Sequence, residues 1–259
     1  MIHGLNNRML YSAKKLSVTL DNSIITRGTG FFVEKGNDLF LITNRHVVDP
    51  WRGNEKLKGH KITEFLLESF ESFDANGIPC GLTTSSILNW EDFRFHPNEA
   101  NDVACLKNPK IEQEAIINVP IPFELLATTE WLNEKLVVCD TIAYPGYPEW
   151  YDRRNNTPIF RMGTVASDPR FDYSYNPDEP VSALIAYEGF SSGGSSGSPV
   201  FAVQRGFPTG SGLTAPEDFF REIKVIGINA GHFPAGEESH SGISYLYKSS
   251  AILDIINSF

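Results

Sequence analysis

The sequence predicts an all-β protein finished by a single helix. Short runs rich in β-branched and aromatic residues recur along most of the chain. Turn-forming clusters separate them, as in EKGND (34–38), DANG (74–77), YPGYP (144–148) and NPDEP (176–180). Long helical periods do not alternate with these runs. That pattern argues against a parallel α/β sheet and for a barrel or a sandwich.

In chain order, the expected strands are LSVTL (16–20), GTGFFVE (28–34), DLFLITN (38–44), ITEFLLESF (62–70) and DVACLK (102–107). KLVVCDTIAY (135–144), RMGTVAS (161–167), SALIAYEGF (182–190), SPVFAVQ (198–204), KVIGINAG (224–231) and GISYLY (242–247) follow. Loops are expected near 51–60 and 145–158. A short helix is expected in APEDFFREI (215–223), inside a surface insertion after SPVFAVQ. At the end, Ile252, Ile255, Ile256 and Phe259 fall at i, i+3, i+4 and i+7, with Ser249 or Ser250 as N-cap. Cys105 and Cys139 sit in apolar runs and are expected as core thiols.

The 259 residues are 41% apolar and 21% charged, enough for one large core or two small ones. A formal net charge of −10 repels phosphates and argues against nucleic acid as a partner. No run reaches signal-peptide or membrane-span length, so no membrane is expected. The three cysteines, Cys80, Cys105 and Cys139, are odd in number and far apart. They fit neither a disulfide framework nor a zinc site, and a reducing cytoplasm is the expected compartment. The histidines lack metal-ligand spacing, so neither a metal nor another cofactor is expected.

Five serines fall within residues 191–198, in SSGGSSGS. A linker would join polar stretches, yet SALIAYEGF precedes this segment and PVFAV follows it. The segment therefore reads as a tight turn between buried strands. Two catalytic patterns overlap in it. Gly193–Gly197 fits the G-x-S-x-G nucleophile elbow, with Ser195 attacking and Asp218 with His232 or His240 downstream. Gly194–Pro199 fits a G-x-S-G-S-P turn, with Ser196 attacking. An elbow leads into a helix, whereas Pro199 and VFAVQ lead into a strand. The second pattern needs a histidine and then an aspartate upstream. His46 in LITNRHVV and Asp102 in NDVACLK stand in that order.

The blocks GTGFFV, LITNRHVV, NDVACLK, GSSGSPVF and VIGINAG together resemble the chymotrypsin-like (trypsin-fold) serine peptidases, and within them the bacterial branch. CDTIAYPGYP followed by FRMGTVAS is similar to the second barrel of high-temperature-requirement proteases. GSSGSPV and VIGIN are similar to glutamyl endopeptidases. The resemblance implies two six-stranded antiparallel β-barrels, carried by residues 1–124 and 125–259, with a cleft between them. It implies Ser196 as nucleophile, His46 as general base and Asp102 as its orienting acid. The amides of Gly194 and Ser196 would form the oxyanion hole.

It also implies a substrate pocket between Phe190, Ser191 and Ser192 on one side and Asn229, Ala230 and Gly231 on the other. Ser195 stands where trypsin has the aspartate that receives a newly cut N-terminus, so that activation switch is not expected. The implied partner is a protein or peptide substrate, with an activating protein as a further partner. The implied role is a regulated cytoplasmic effector. Activity is expected to rise with pH through neutrality. The rival readings are a peptide-binding module that keeps the cleft without catalysis, and an α/β-hydrolase esterase.

Overall fold

The computed structural model describes residues 5–52, 54–206, 220–234 and 240–259. The first unit contains β1 (Ala13–Leu20), β2 (Ile25–Lys35), β3 (Asp38–Thr43), β4 (Ile62–Phe70) and β5 (Thr83–Ile87). It is completed by β6 (Arg94–Phe95), β7 (Ala104–Lys107) and β8 (Ile121–Pro122). The second unit contains β9 (Thr141–Gly146), β10 (Ile159–Val165), β11 (Leu184–Glu188), β12 (Pro199–Ala202), β13 (Lys224–Pro234) and β14 (His240–Lys248). The α-helices are α1 (Asn7–Leu10), α2 (Arg45–Val48), α3 (Thr129–Lys135) and α4 (Ser249–Asn257).

The second unit is a closed barrel in the order β10-β11-β14-β13-β12-β9. The first is an eight-stranded sheet in the order β5-β4-β1-β2-β3-β7-β6, with β8 lying parallel on β2. This corrects the expectation of two six-stranded barrels, because the first sheet does not close. Closure would need a ladder between its edges, β5 and β6. The chain between those edges turns through a 3-10 segment at Trp90–Asp92, and β6 has two residues. Pro97, just beyond β6, has no N–H to extend a ladder.

The first sheet buries Leu16, Val18, Phe32, Leu41, Phe65 and Leu67 on one side. The barrel interior is filled by Ile142, Tyr144, Ile185, Tyr187, Val200 and Leu246. A third cluster joins the units: Phe31, Phe40 and Ile42 of the sheet pack with Phe201 and Ile228 of the barrel and with α4. The predicted helical stripe is the face that does this, with Ile252, Ile255 and Ile256 buried. Each such side chain contributes about 1.5–3 kcal/mol by leaving water.

Several expectations change. KLVVCDTIAY is not one strand. Its first residue ends α3, which starts behind Thr128, whose Oγ1 accepts from the Trp131 N–H at 3.2 Å. The Asp140 carboxylate accepts the Val137 N–H at 2.9 Å and folds VVCD into a turn. Cys139 is therefore exposed at φ +70°, not a core thiol, whereas Cys105 is buried. Lys248 holds the N-cap position of α4, and Ser249 begins the helix, its hydroxyl donating to the Ala127 carbonyl at 2.6 Å. Much of APEDFFREI lies outside the described residues, and Arg221 within it bridges to Arg205.

Lys14 on β1 is buried, donates to the Tyr11 and Asn118 carbonyls at 2.8 Å each, and has no carboxylate partner among the described residues. Burial pushes its ammonium down to about 7. The unfolded lysine titrates near its ordinary value of about 10.4. Between those values the unfolded chain holds more protons, so Lys14 makes stability rise with pH. From pH 6.5 to 9 the melting temperature of the wild type is expected to gain on that of Lys14→Met. Parallel profiles would show that Lys14 titrates as an exposed lysine does.

Candidate active site

The end of β3 presents a short polar turn. Asn44 is fully buried and donates its side-chain amide to the Asp102 carbonyl at 2.8 Å, and the Arg45 N–H donates to the same carbonyl at 3.3 Å. These bonds pin α2 to the segment that enters β7. They bring His46 onto the Asp102 carboxylate. The His46 backbone N–H donates to Oδ1 at 2.9 Å, and Nδ1 lies 2.5 Å from Oδ2. A carboxylate only accepts, so Nδ1 carries the proton of this bond, and in the neutral imidazole Nε2 is then the free base. The Arg52 Nε lies 3.9 Å from Asp102 Oδ1 and sets a positive charge beside that carboxylate. Burial first, then the Asp102 charge, pushes the Tyr245 and Tyr247 phenols up, so both stay neutral beside it.

The serine turn is held from both units. Asn229 on β13 is fully buried and its amide is fully used. It accepts from Tyr187 Oη at 2.7 Å and donates to Ser191 Oγ and to the Ser195 carbonyl at 2.9 Å each. From the other unit, Thr29 on β2 donates its N–H to the Ser196 carbonyl at 2.8 Å and its hydroxyl to the Gly194 carbonyl at 2.8 Å. The Tyr147 N–H donates to that same hydroxyl at 3.0 Å.

Two glycines in the turn have structural reasons. Gly194 sits at φ +87°, and a Cβ there would lie 2.3 Å from the Tyr147 carbonyl oxygen. Gly197 sits at φ +90°, and a Cβ would lie 1.8 Å from the Thr29 carbonyl oxygen.

The two serines that compete for the chemistry differ sharply. Ser195 is fully buried and its hydroxyl has no hydrogen-bond partner among the described residues. Ser196 is partly exposed and its hydroxyl donates to the Ala230 carbonyl at 2.9 Å. The N–H groups of Gly194 and Ser196 enter no hydrogen bond among the described residues. Two unspent amides on one turn, beside a reachable hydroxyl, are what a developing oxyanion needs.

Residues 28–210 match the trypsin-like peptidase domain. The chain belongs to the trypsin-like peptidase domain family. The solved structures it resembles share its fold at low identity. The HtrA-type protease AlgW bound to a tripeptide is 16% identical, with a TM-score of 0.54 over 97% of this chain and 60% of its own. This trypsin-like chain thus spans about three-fifths of AlgW. HL collagenase is also 16% identical, with a TM-score of 0.58, covering 100% of this chain and 97% of its own. An inactivated protease paralogue of the scabies mite is 16% identical, with a TM-score of 0.55, covering 99% and 98%. No curated protein sequence matches the chain.

Around the trypsin-like turn, the residues expected to bind substrate separate into two groups. Asn229 and Ser191 are buried and bonded to each other. Phe190 is 60% exposed, and its ring packs on His240 at 4.8 Å, which in turn stacks on His232 at 4.2 Å. Ser192 Oγ accepts from Arg161 at 2.8 Å. Ala230 is buried and offers its carbonyl to Ser196, and Gly231 packs beside Tyr245. Two clefts flank the site. One, of about 480 Å³, runs from Gly193 and Gly194 to Tyr151 and Arg27. The other, of about 500 Å³, is lined by Arg52, Tyr175, Phe233 and Tyr245.

Thr29, Asn44 and Arg52 are the site residues that sequence reasoning missed. The placement of Thr29 between Gly28 and Gly30 is the one local signal for them.

Proposed function

We propose that this protease hydrolyses peptide bonds through Ser196, His46 and Asp102 by way of an acyl-enzyme. The Ser196 hydroxyl leaves its Ala230 acceptor for the His46 Nε2. As Oγ bonds to the scissile carbonyl carbon, its proton passes to Nε2. The Gly194 and Ser196 N–H groups receive the oxyanion. When the C–N bond breaks, Nε2 returns the proton to the leaving amine. Water then repeats the sequence on the ester and frees Ser196. Asp102 holds Nδ1–H and stabilises the imidazolium throughout.

The observation that carries this reading is the contrast within the turn. Ser196 is reachable next to two unspent amides, and Ser195 is sealed in. The resting bond to Ala230 supports an enzyme gated by its substrate or by an activating partner. The free thiols Cys80, Cys105 and Cys139 support a reducing compartment, the cytoplasm.

The test is fluorophosphonate labelling read by intact mass on wild type, Ser195→Ala and Ser196→Ala. Adducts on the first two and none on Ser196→Ala are expected. Loss of the adduct in Ser195→Ala instead would restore the hydrolase elbow. An unlabelled wild type would leave either a peptide-binding module or a protease awaiting its activator; the scabies mite paralogue is named as an inactivated protease.

A further inference from the structure

The barrel carries a further cavity, of about 560 Å³, whose lining includes none of His46, Asp102 and Ser196. Ala143, Phe160, Met162 and Val203 supply its apolar wall. Its lining also carries charge, from Asp140, Arg205 and Arg221. Arg205 Nη1 donates to Asp140 Oδ1 at 2.9 Å, and Arg221 Nε lies 3.5 Å from Asp140 Oδ2. Two cations on one anion leave this cluster with one positive charge in excess.

Arg221 holds that excess in the least tolerable place. Its side chain is 1% exposed. Nη2 donates to the Val203 carbonyl, while Nε and Nη1 have no hydrogen-bond partner among the described residues. Burial opposes its charge and lowers its proton affinity, and the Asp140 carboxylate offsets this only in part. A ring contact to Trp131 at 5.7 Å adds a weak attraction. A buried guanidinium with unspent donors and half an anion is costly, and native structures rarely leave such donors without a reason.

We propose that this cavity binds a small amphipathic carboxylate. The head completes the Arg205–Arg221–Asp140 cluster, and the tail lies against Phe160 and Met162. A monoanion balances the single excess charge, and a planar carboxylate matches the guanidinium fork. The size and the mostly apolar wall fit a small molecule with a tail better than a bare phosphate.

Calorimetric titration of the Ser196→Ala protein with sodium decanoate is expected to show saturable binding, one per chain. Decanol has the tail without the charge, and acetate the head without the tail. Both are expected to bind about tenfold more weakly or worse. Arg221→Met keeps the volume and leaves Arg205 and Asp140 as a balanced pair, so the fold persists. Decanoate binding should weaken by about thirtyfold or more, the loss that follows removal of a buried charge partner. Met162→Glu, at an exposed wall position, should repel decanoate without touching the buried cluster.

An apolar tripeptide with a free C-terminus, set against its amide, separates the two sources of such a carboxylate. Preference for the free-acid peptide over decanoate assigns the site to chain ends, and the reverse assigns it to fatty acids. No saturable heat with decanoate overturns the proposal. So does equal affinity for decanol, or affinity retained in Arg221→Met.

Discussion

Ser196→Ala will remove essentially all peptide hydrolysis, lowering kcat by about a millionfold, the scale of losing a serine nucleophile that works as one unit with its histidine. The two turn amides remain, so a residue of catalysis over water survives. Stability should barely change, because the lost hydroxyl is partly exposed and bonded to one carbonyl. Ser195→Ala is the informative partner. Its hydroxyl is buried and has no hydrogen-bond partner among the described residues, so removing it relieves an unsatisfied group and should leave kcat unchanged. Steady-state kinetics with melting curves on both variants check this. Comparable loss in the two would mean that the turn, not one hydroxyl, had been damaged.

Gly197→Ala will cost both fold and rate. The new methyl would meet the Thr29 carbonyl oxygen at 1.8 Å and Thr43 Oγ1 at 2.6 Å, on a backbone at φ +90°. Thr29 cannot retreat, because it pairs with Lys15 inside the first sheet and accepts a bond from Thr43 at 2.7 Å. Overpacking and strain of this kind reach about 4 kcal/mol or more. For a chain this long, that is a fall of about 10 °C or more in Tm. If the turn shifts to make room, the Ser196 amide loses its aim. The folded fraction should then show kcat/KM lower by about a hundredfold, the loss seen when one oxyanion donor is removed. Gly193→Ala is the control. A Cβ there meets nothing within 4 Å, and both quantities should hold.

The legible parts of this chain were those whose information is local. ITEFLLESF spans β4 from end to end, because alternating burial on a paired strand writes itself into adjacent residues. The stripe Ile252, Ile255, Ile256 marked α4 for the same reason. Ser196 stood out because Pro199 and VFAVQ exclude a helix after the serine. His46 and Asp102 stood out only as parts of ordered blocks, and the structure puts them in contact.

Other parts depend on partners far away in sequence. β5 is the polar edge strand TTSSI, and nothing in its composition marks it. α3 hid behind LVVC, whose β-branched residues read as a strand until Asp140 bends them. The openness of the first sheet is a different case: β5 and β6 are neighbours in sequence, and the 3-10 turn between them sets them down unpaired. Arg52 and Asn44 act on the distant Asp102, so their roles have no local signature.

Thr29 lies 165 residues from Gly194, yet its hydroxyl and amide hold the turn that carries Ser196. Neither unit therefore holds the serine turn alone. Heredity must treat these distant codons as one character. A lineage that drifts at Thr29 alone loses the shape of a loop encoded far downstream, and a loop exchanged from a relative arrives without its clasp. Shuffling one half of the gene against another should yield active enzyme only where both sides of that clasp travel together.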